Sequence, residues 1–189
     1  MKNIVLIGMP GCGKTSLGKD ISRKLQMRFI DMDAYIVQMT GKTVPELFAQ
    51  GEDTFRDAET DACKRLSQMQ DCVIATGGGC VKREENMCFL RKTGTIVFID
   101  RPLTNILSDV RCDTRPLLQK GAEEVRRLYA ERIGLYRKYA QITARNNGAF
   151  YACANYIVRR IKREDYGNKR GQSEHAWRPR KRRIRRKEL

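Results

Sequence analysis

An eight-residue stretch, Gly8-Met9-Pro10-Gly11-Cys12-Gly13-Lys14-Thr15, fits GxxxxGK[ST] and directly follows the apolar run Lys2–Ile7. No other feature constrains the fold as much, because the pattern needs a buried strand before it and a helix after it. The helix is legible in Leu17, Ile21 and Leu25, which recur at i, i+4 and i+8 on one face. Gly11 and Gly13 let the backbone wrap an anion and aim successive N–H groups at it, with the positive end of the helix behind them. Gly11, Cys12, Gly13, Lys14, Thr15 and Ser16 are therefore read as the seat of a nucleotide's phosphates. Lys14 bridges the β- and γ-phosphates, and the Thr15 hydroxyl serves Mg²⁺. Cys12 lends only its backbone, although the helix end could activate its thiol.

Strand-length apolar runs then alternate with helical patterns. Strands are expected at Arg28–Asp31, Cys72–Thr76, Thr95–Asp100 and near Gln141–Thr143. Helices are expected at about 34–40, 44–50, 55–69, 83–92, after Pro102, through Val125–Tyr139 and at about 149–163. This alternation gives a parallel sheet covered on both faces. Val110–Lys120 lacks periodicity and reads as a mobile loop. Within 189 residues there is room for one compact domain. The longest apolar runs are strand-sized, so no membrane span is expected, and nothing at the N-terminus resembles an export signal. Seven cysteines without a CxxC pair suit free thiols and the cytoplasm.

A phosphate loop specifies a nucleotide but no reaction. The acceptor must be sought elsewhere. Asp31 and Asp33, two apart at the end of the second strand, can face one crevice, although Asp33 could equally cap the following helix. Arg56 and Glu59 are i, i+3 neighbours, so the carboxylate can orient a guanidinium for bidentate binding of an acceptor carboxylate. An isolated RxxE is more often a surface ion pair. Gly77-Gly78-Gly79 after a strand end implies close backbone approach. Arg111 and Arg115 fall in the aperiodic loop, which could close over a nucleotide. Arg132 and Tyr136 share a face of the long helix.

Taken in order, the loop at Gly8–Thr15, DxD at Asp31–Asp33, FRxxE at Phe55–Glu59, ATGGG at Ala75–Gly79, RPL at Arg115–Leu117 and RxxxYxxxA at Arg132–Ala140 make the chain resemble the shikimate kinases. These belong to the nucleoside-monophosphate-kinase-like P-loop group. The resemblance spans about residues 2–161. It implies a three-layer α-β-α fold with a five-stranded parallel sheet and a mobile lid at about 110–120. It also implies the reaction MgATP + shikimate → ADP + 3-phosphoshikimate, toward chorismate and the aromatic amino acids. Asp33 would bind the ring hydroxyls and act as the base, and Asp31 would place the metal through water. Arg56 and Arg132 would clamp the carboxylate, with Glu59 orienting Arg56 and with backbone contacts from Gly77, Gly78 and Gly79. Arg115 would reach the phosphates on lid closure, and Arg111 would lie on the adenine. Gln141 and the short stretch Thr143–Gly148 depart from the family pattern, which leaves Arg145 as the candidate for a second adenine contact. Kinases of gluconate or of a nucleoside monophosphate are the alternatives within enzymes.

The net charge of +16 is unevenly spread: from Lys162 onward there are 12 basic and 4 acidic residues. This segment, 162–189, lies outside the family pattern and reads as a disordered solubilising tail. Trp177–Leu189 could bind nucleic acid weakly through phosphate neutralisation, and an ATP-binding protein acting on nucleic acid is the alternative from another class. His175, the only histidine, is read as solvated. The chain is read as a monomer.

Overall fold

The computed structural model describes residues 1–109, 121–148 and 150–174, with 109, 150 and 165–174 as backbone alone. Five strands, β1 (Asn3–Ile7), β2 (Arg28–Asp31), β3 (Cys72–Ala75), β4 (Gly94–Asp100) and β5 (Ile142–Arg145), form one sheet in the order β2-β3-β1-β4-β5. Every pairing is parallel. β1 is buried along its whole length because it lies at the centre, with strands on both sides and helices on both faces. The edge strand β5 instead alternates buried and exposed residues.

Eight helices complete the described residues: α1 (Lys14–Leu25), α2 (Met32–Thr40), α3 (Val44–Ala49), α4 (Glu52–Leu66), α5 (Glu84–Thr93), α6 (Leu103–Asp109), α7 (Gly121–Tyr139) and α8 (Phe150–Glu174). Right-handed crossovers fix their layers. The β1-α1-β2 connection runs one way across the sheet and the β3-α5-β4 connection runs the other, so α1 and α5 cover opposite faces. α8 packs on α1, while α5 and α7 pack on β4. This is the expected three-layer arrangement. None of these helices is long and apolar enough to cross a membrane.

Several boundaries differ from expectation: α4 runs Glu52–Leu66 rather than 55–69, α7 begins at Gly121 rather than Val125, and β5 and α8 differ as well. β5 begins and ends later than Gln141–Thr143, because the Gln141 side chain accepts from the Ile96 N–H (2.9 Å) and its backbone turns into the strand. α8 continues to Glu174 rather than ending near 163. Its buried stripe, Cys153, Ala154, Ile157 and Ile161, stops there, but no proline halts the backbone before Pro179. The lid at 110–120 and Trp177–Leu189 with His175 lie outside the described residues. The six described cysteines are free, and all but Cys88 are buried.

Candidate active site

The carboxyl ends of β1 and β3 border the point where strand order reverses, which is where open α/β sheets take ligands. From β1 the chain enters the glycine loop and then α1. Lys14 Nζ donates to the carbonyls of Gly8 (2.8 Å) and Met9 (2.9 Å), so the loop folds around its own lysine. Two braces reach the loop from the ends of β4 and β5. Arg101 Nη1 donates to the Gly11 carbonyl (3.0 Å), and Asn146 Nδ2 donates to the Cys12 carbonyl (2.9 Å). Gly13 has φ +99°, and a Cβ there would stand 2.9 Å from Asn146 Nδ2, so the turn admits no side chain. The Cys12 thiol is fully buried beneath the loop, 3.8 Å from Lys14 Nζ.

β2 ends at Asp31, whose Oδ1 accepts from the backbone N–H groups of Asp33 (3.2 Å) and Ala34 (3.4 Å) and so caps α2. Its Oδ2 accepts from the Thr15 hydroxyl (3.0 Å). The expectation of two carboxylates side by side on an extended strand is corrected here. Asp31 is the cap, and Asp33 lies in the first turn of α2, so the helix turns it toward Gly77 rather than alongside Asp31.

On α4, Arg56 and Glu59 are both buried, at 6% and 0% exposure. Arg56 Nη1 donates to Glu59 Oε2 (2.7 Å), while Nε and Nη2 donate to Glu52 Oε1 (3.3 Å each). Phe48 and Phe55 stack at 4.4 Å, with the guanidinium 5.9 and 5.1 Å from their ring centres. This pair is no surface ion pair. Burial raises the Glu59 carboxyl above its ordinary value; the Arg56 guanidinium pulls it down and the nearby Asp33 charge pushes it up.

The glycine triplet joins these parts. A Cβ at Gly77 would stand 2.9 Å from Glu59 Oε1 and 3.2 Å from Asp33 Oδ1. One at Gly78 would stand 2.8 Å from Pro10 Cδ, and one at Gly79 would stand 2.7 Å from Arg56 Cζ. Three successive residues thus touch the acidic pair, the phosphate loop and the guanidinium, which is why none carries a side chain. Arg132 on α7 is 3% exposed, and its Nε and Nη1 have no hydrogen-bond partner among the described residues. Its charge acts on Glu59 together with those of Arg56 and Asp33. Lys82 Nζ links the two arginines' flanking carboxylates, 3.0 Å from Glu52 Oε1 and 3.4 Å from Glu131 Oε1.

The family model for shikimate kinase matches residues 10–162. The chain belongs to the shikimate kinase family. It is 51% identical over 148 residues to the shikimate kinase of Clostridium beijerinckii, covering 78% of this chain and 88% of that one. The shikimate kinase of Neisseria gonorrhoeae is 41% identical over 151 residues, with 76% and 89% covered. A solved structure of shikimate kinase from Acinetobacter baumannii in complex with shikimate superposes with a TM-score of 0.79 at 34% identity, over 89% of this chain and 95% of that one.

Of the residues expected for a shikimate kinase, Asp33, Arg56, Glu59, Gly77, Gly78 and Gly79 are brought together, with Gly78 against the loop that leads to Lys14 and Thr15, Asp31 bonded to Thr15, and the Arg132 charge acting on Glu59. Gly11, Cys12, Gly13 and Ser16 form the adjoining loop and its entry into α1. Arg111 and Arg115 lie outside the described residues. Arg145 is exposed at the end of β5. Sequence reasoning missed Arg101, Asn146 and the linking Lys82. Arg101 carried a signal, since it directly follows a strand's carboxyl end, where such sheets place functional groups. Asn146 carried none.

Proposed function

We infer that this chain transfers the γ-phosphoryl group of ATP to the 3-hydroxyl of shikimate, releasing ADP and 3-phosphoshikimate. The observation that carries this reading is Arg132, a buried guanidinium whose Nε and Nη1 make no hydrogen bond among the described residues, Glu131 Oε1 standing 3.9 Å from Nε. Buried N–H groups left without hydrogen bonds are costly, and a carboxylate ligand would satisfy them bidentately. Gluconate shares the carboxylate but is an open chain rather than a rigid ring. A nucleoside monophosphate offers a phosphate that a guanidinium also binds bidentately, so the acceptor assay separates it from shikimate.

Roles follow from position. Arg56 and Arg132 hold the acceptor carboxylate, and Glu59 fixes the orientation of Arg56. The backbone of Gly77, Gly78 and Gly79 flanks the ring. Asp33 meets the ring hydroxyls and takes the proton of the attacking one. Amides of Gly11–Ser16 hold the phosphates, and Lys14 needs only to leave the loop carbonyls to reach the β- and γ-oxygens. Arg115 and Arg111 are assigned the phosphates and the adenine face.

Thr15 Oγ1 and Asp31 Oδ2, 3.0 Å apart at the loop mouth, are hard oxygen donors that fit Mg²⁺. Among the described residues no group of three or more His, Cys, Asp or Glu could cage a metal, which suits an ion that keeps waters and phosphate oxygens. When bound, Mg²⁺ neutralises charge on the β- and γ-phosphates. Thr15 would hold it directly and Asp31 through water. Transfer in a loose transition state then depends on alignment and charge neutralisation more than on the base.

The enzyme acts as a cytoplasmic monomer, and the segment beyond the core of α8 is a solvating appendage with weak, salt-dependent affinity for nucleic-acid phosphates. A coupled ADP-release assay tests the acceptor, and shikimate is expected to give turnover where gluconate and a nucleoside monophosphate do not. In the same assay Arg132→Ala raises the shikimate KM about tenfold to a hundredfold and leaves the KM for ATP within about twofold. Turnover with gluconate alone, or an equal rise in both constants, would reject the reading.

A further inference from the structure

We propose that the Tyr136 hydroxyl is a positioning group for the acceptor site, holding the glycine triplet in the register the acceptor needs. The proposal rests on the shikimate kinase reading above. Tyr136 is fully buried on α7, one turn beyond Arg132. Its hydroxyl donates to the Gly78 carbonyl at 2.6 Å and lies 3.9 Å from Met9 Sδ. Its ring stacks on Phe98 at 5.3 Å between centroids. Packing on Phe98 uses the ring alone, and a phenylalanine would serve it equally well. The hydroxyl therefore has a separate task, and its strongest contact is with the middle residue of the triplet.

That contact fixes more than one oxygen. The opposite side of Gly78 is seated on Pro10, where a Cβ would stand 2.8 Å from the ring. The peptide after Gly78 is thus pinned between α7 and the phosphate loop. Because a trans peptide is planar, a carbonyl held toward Tyr136 sends the Gly79 N–H the other way. That N–H donates to nothing among the described residues. It belongs to the residue packed on the Arg56 guanidinium. Setting this one plane sets both the backbone donor and the surface against which Arg56 rests. Burial holds the phenol well above its ordinary pKa, so the group remains a donor at any working pH. α7 consequently supplies the acceptor site twice, with a guanidinium from Arg132 and with a fixed backbone through Tyr136.

The test is Tyr136→Phe, which keeps the ring and removes the donor. The shikimate KM is expected to rise about threefold to tenfold, the size of one net hydrogen bond, while the KM for ATP stays within about twofold. Tyr136→p-aminophenylalanine, which restores a donor at the same place, should return the shikimate KM to within about twofold of the unaltered enzyme. Equal changes in both constants, no change in either, or failure of Tyr136→Phe to fold would each assign the hydroxyl to general stability and overturn the proposal. A second readout needs no acceptor: the Cys80 amide, which donates to the Gly77 carbonyl at 3.2 Å, should exchange its hydrogen several-fold faster in Tyr136→Phe. Unchanged exchange would also overturn the proposal. If the unaltered protein released no ADP with shikimate, the functional reading would fall, and the exchange measurement would still judge the role of Tyr136 in the triplet.

Discussion

Lys14 has two sets of partners to choose between. It is held by the carbonyls of Gly8 and Met9, which keeps a cation inside a loop built for anions. Phosphate oxygens offer full charge where the carbonyls offer dipoles, so the ammonium moves to them at little cost. Lys14→Ala should therefore lower kcat by about a hundredfold or more while leaving the far-ultraviolet spectrum intact. A fall of less than about fivefold in single-turnover experiments would contradict a role at the transferring phosphate. Residues that act through this kind of charge were legible in the chain, because GxxxxGK[ST] places them by spacing alone. Asn146 was not. Its contact with Cys12 spans 134 residues of sequence and uses an ordinary amide, so no local pattern marks it.

At the scale of elements, α3 shows how a short helix supports an arginine it does not contain. Thr43 and Glu46 form a capping box, with the Glu46 carboxylate accepting from the Thr43 N–H (2.6 Å) and hydroxyl (2.7 Å). The helix they start carries Phe48, which stacks with Phe55 beneath Arg56. The bonds from the Thr43 hydroxyl and N–H hold the Glu46 carboxyl below its ordinary value. A lowered carboxyl contributes stability above its unfolded pKa and loses it as pH falls through the folded one. Thr43→Ala should thus lower the melting temperature by about 2–4 °C at neutral pH, and this gap should narrow as pH falls below the ordinary carboxylate range. A gap that widens on acidification in thermal melts would reverse the sign. The helix itself was readable at about 44–50, and so were the central strands, whose apolar runs are buried on both faces. The Asp31-x-Asp33 pair was not, since strand and helix cap were equally allowed. Long-range packing decided between them, with Thr15 fixing Asp31 and Gly77 receiving Asp33. β5 gave little signal because a four-residue edge strand has only two buried positions.

Across the whole molecule the charge and the catalytic machinery separate. Beside the crevice, Arg56 is paired with Glu52 and Glu59, and Lys82 with Glu52 and Glu131. Beyond Glu174, by contrast, residues 178–187 contain eight of the 38 Lys and Arg residues and no acidic one. Among the described side chains, α8 contributes Cys153, Ala154, Ile157 and Ile161 to the core, with Val158 packed against it, all upstream of Lys162. A chain ended after Glu174 retains every side chain of the crevice and of that stripe. It should keep kcat and both KM values within about twofold of the full chain. If the eight cations engage single-stranded RNA, log K for the full chain should fall with log salt at a slope approaching about −6, and the shortened chain should lose that binding. Retained binding after truncation would move the RNA contact onto the folded domain, whereas lost turnover would make the basic segment part of the enzyme rather than an addition to it.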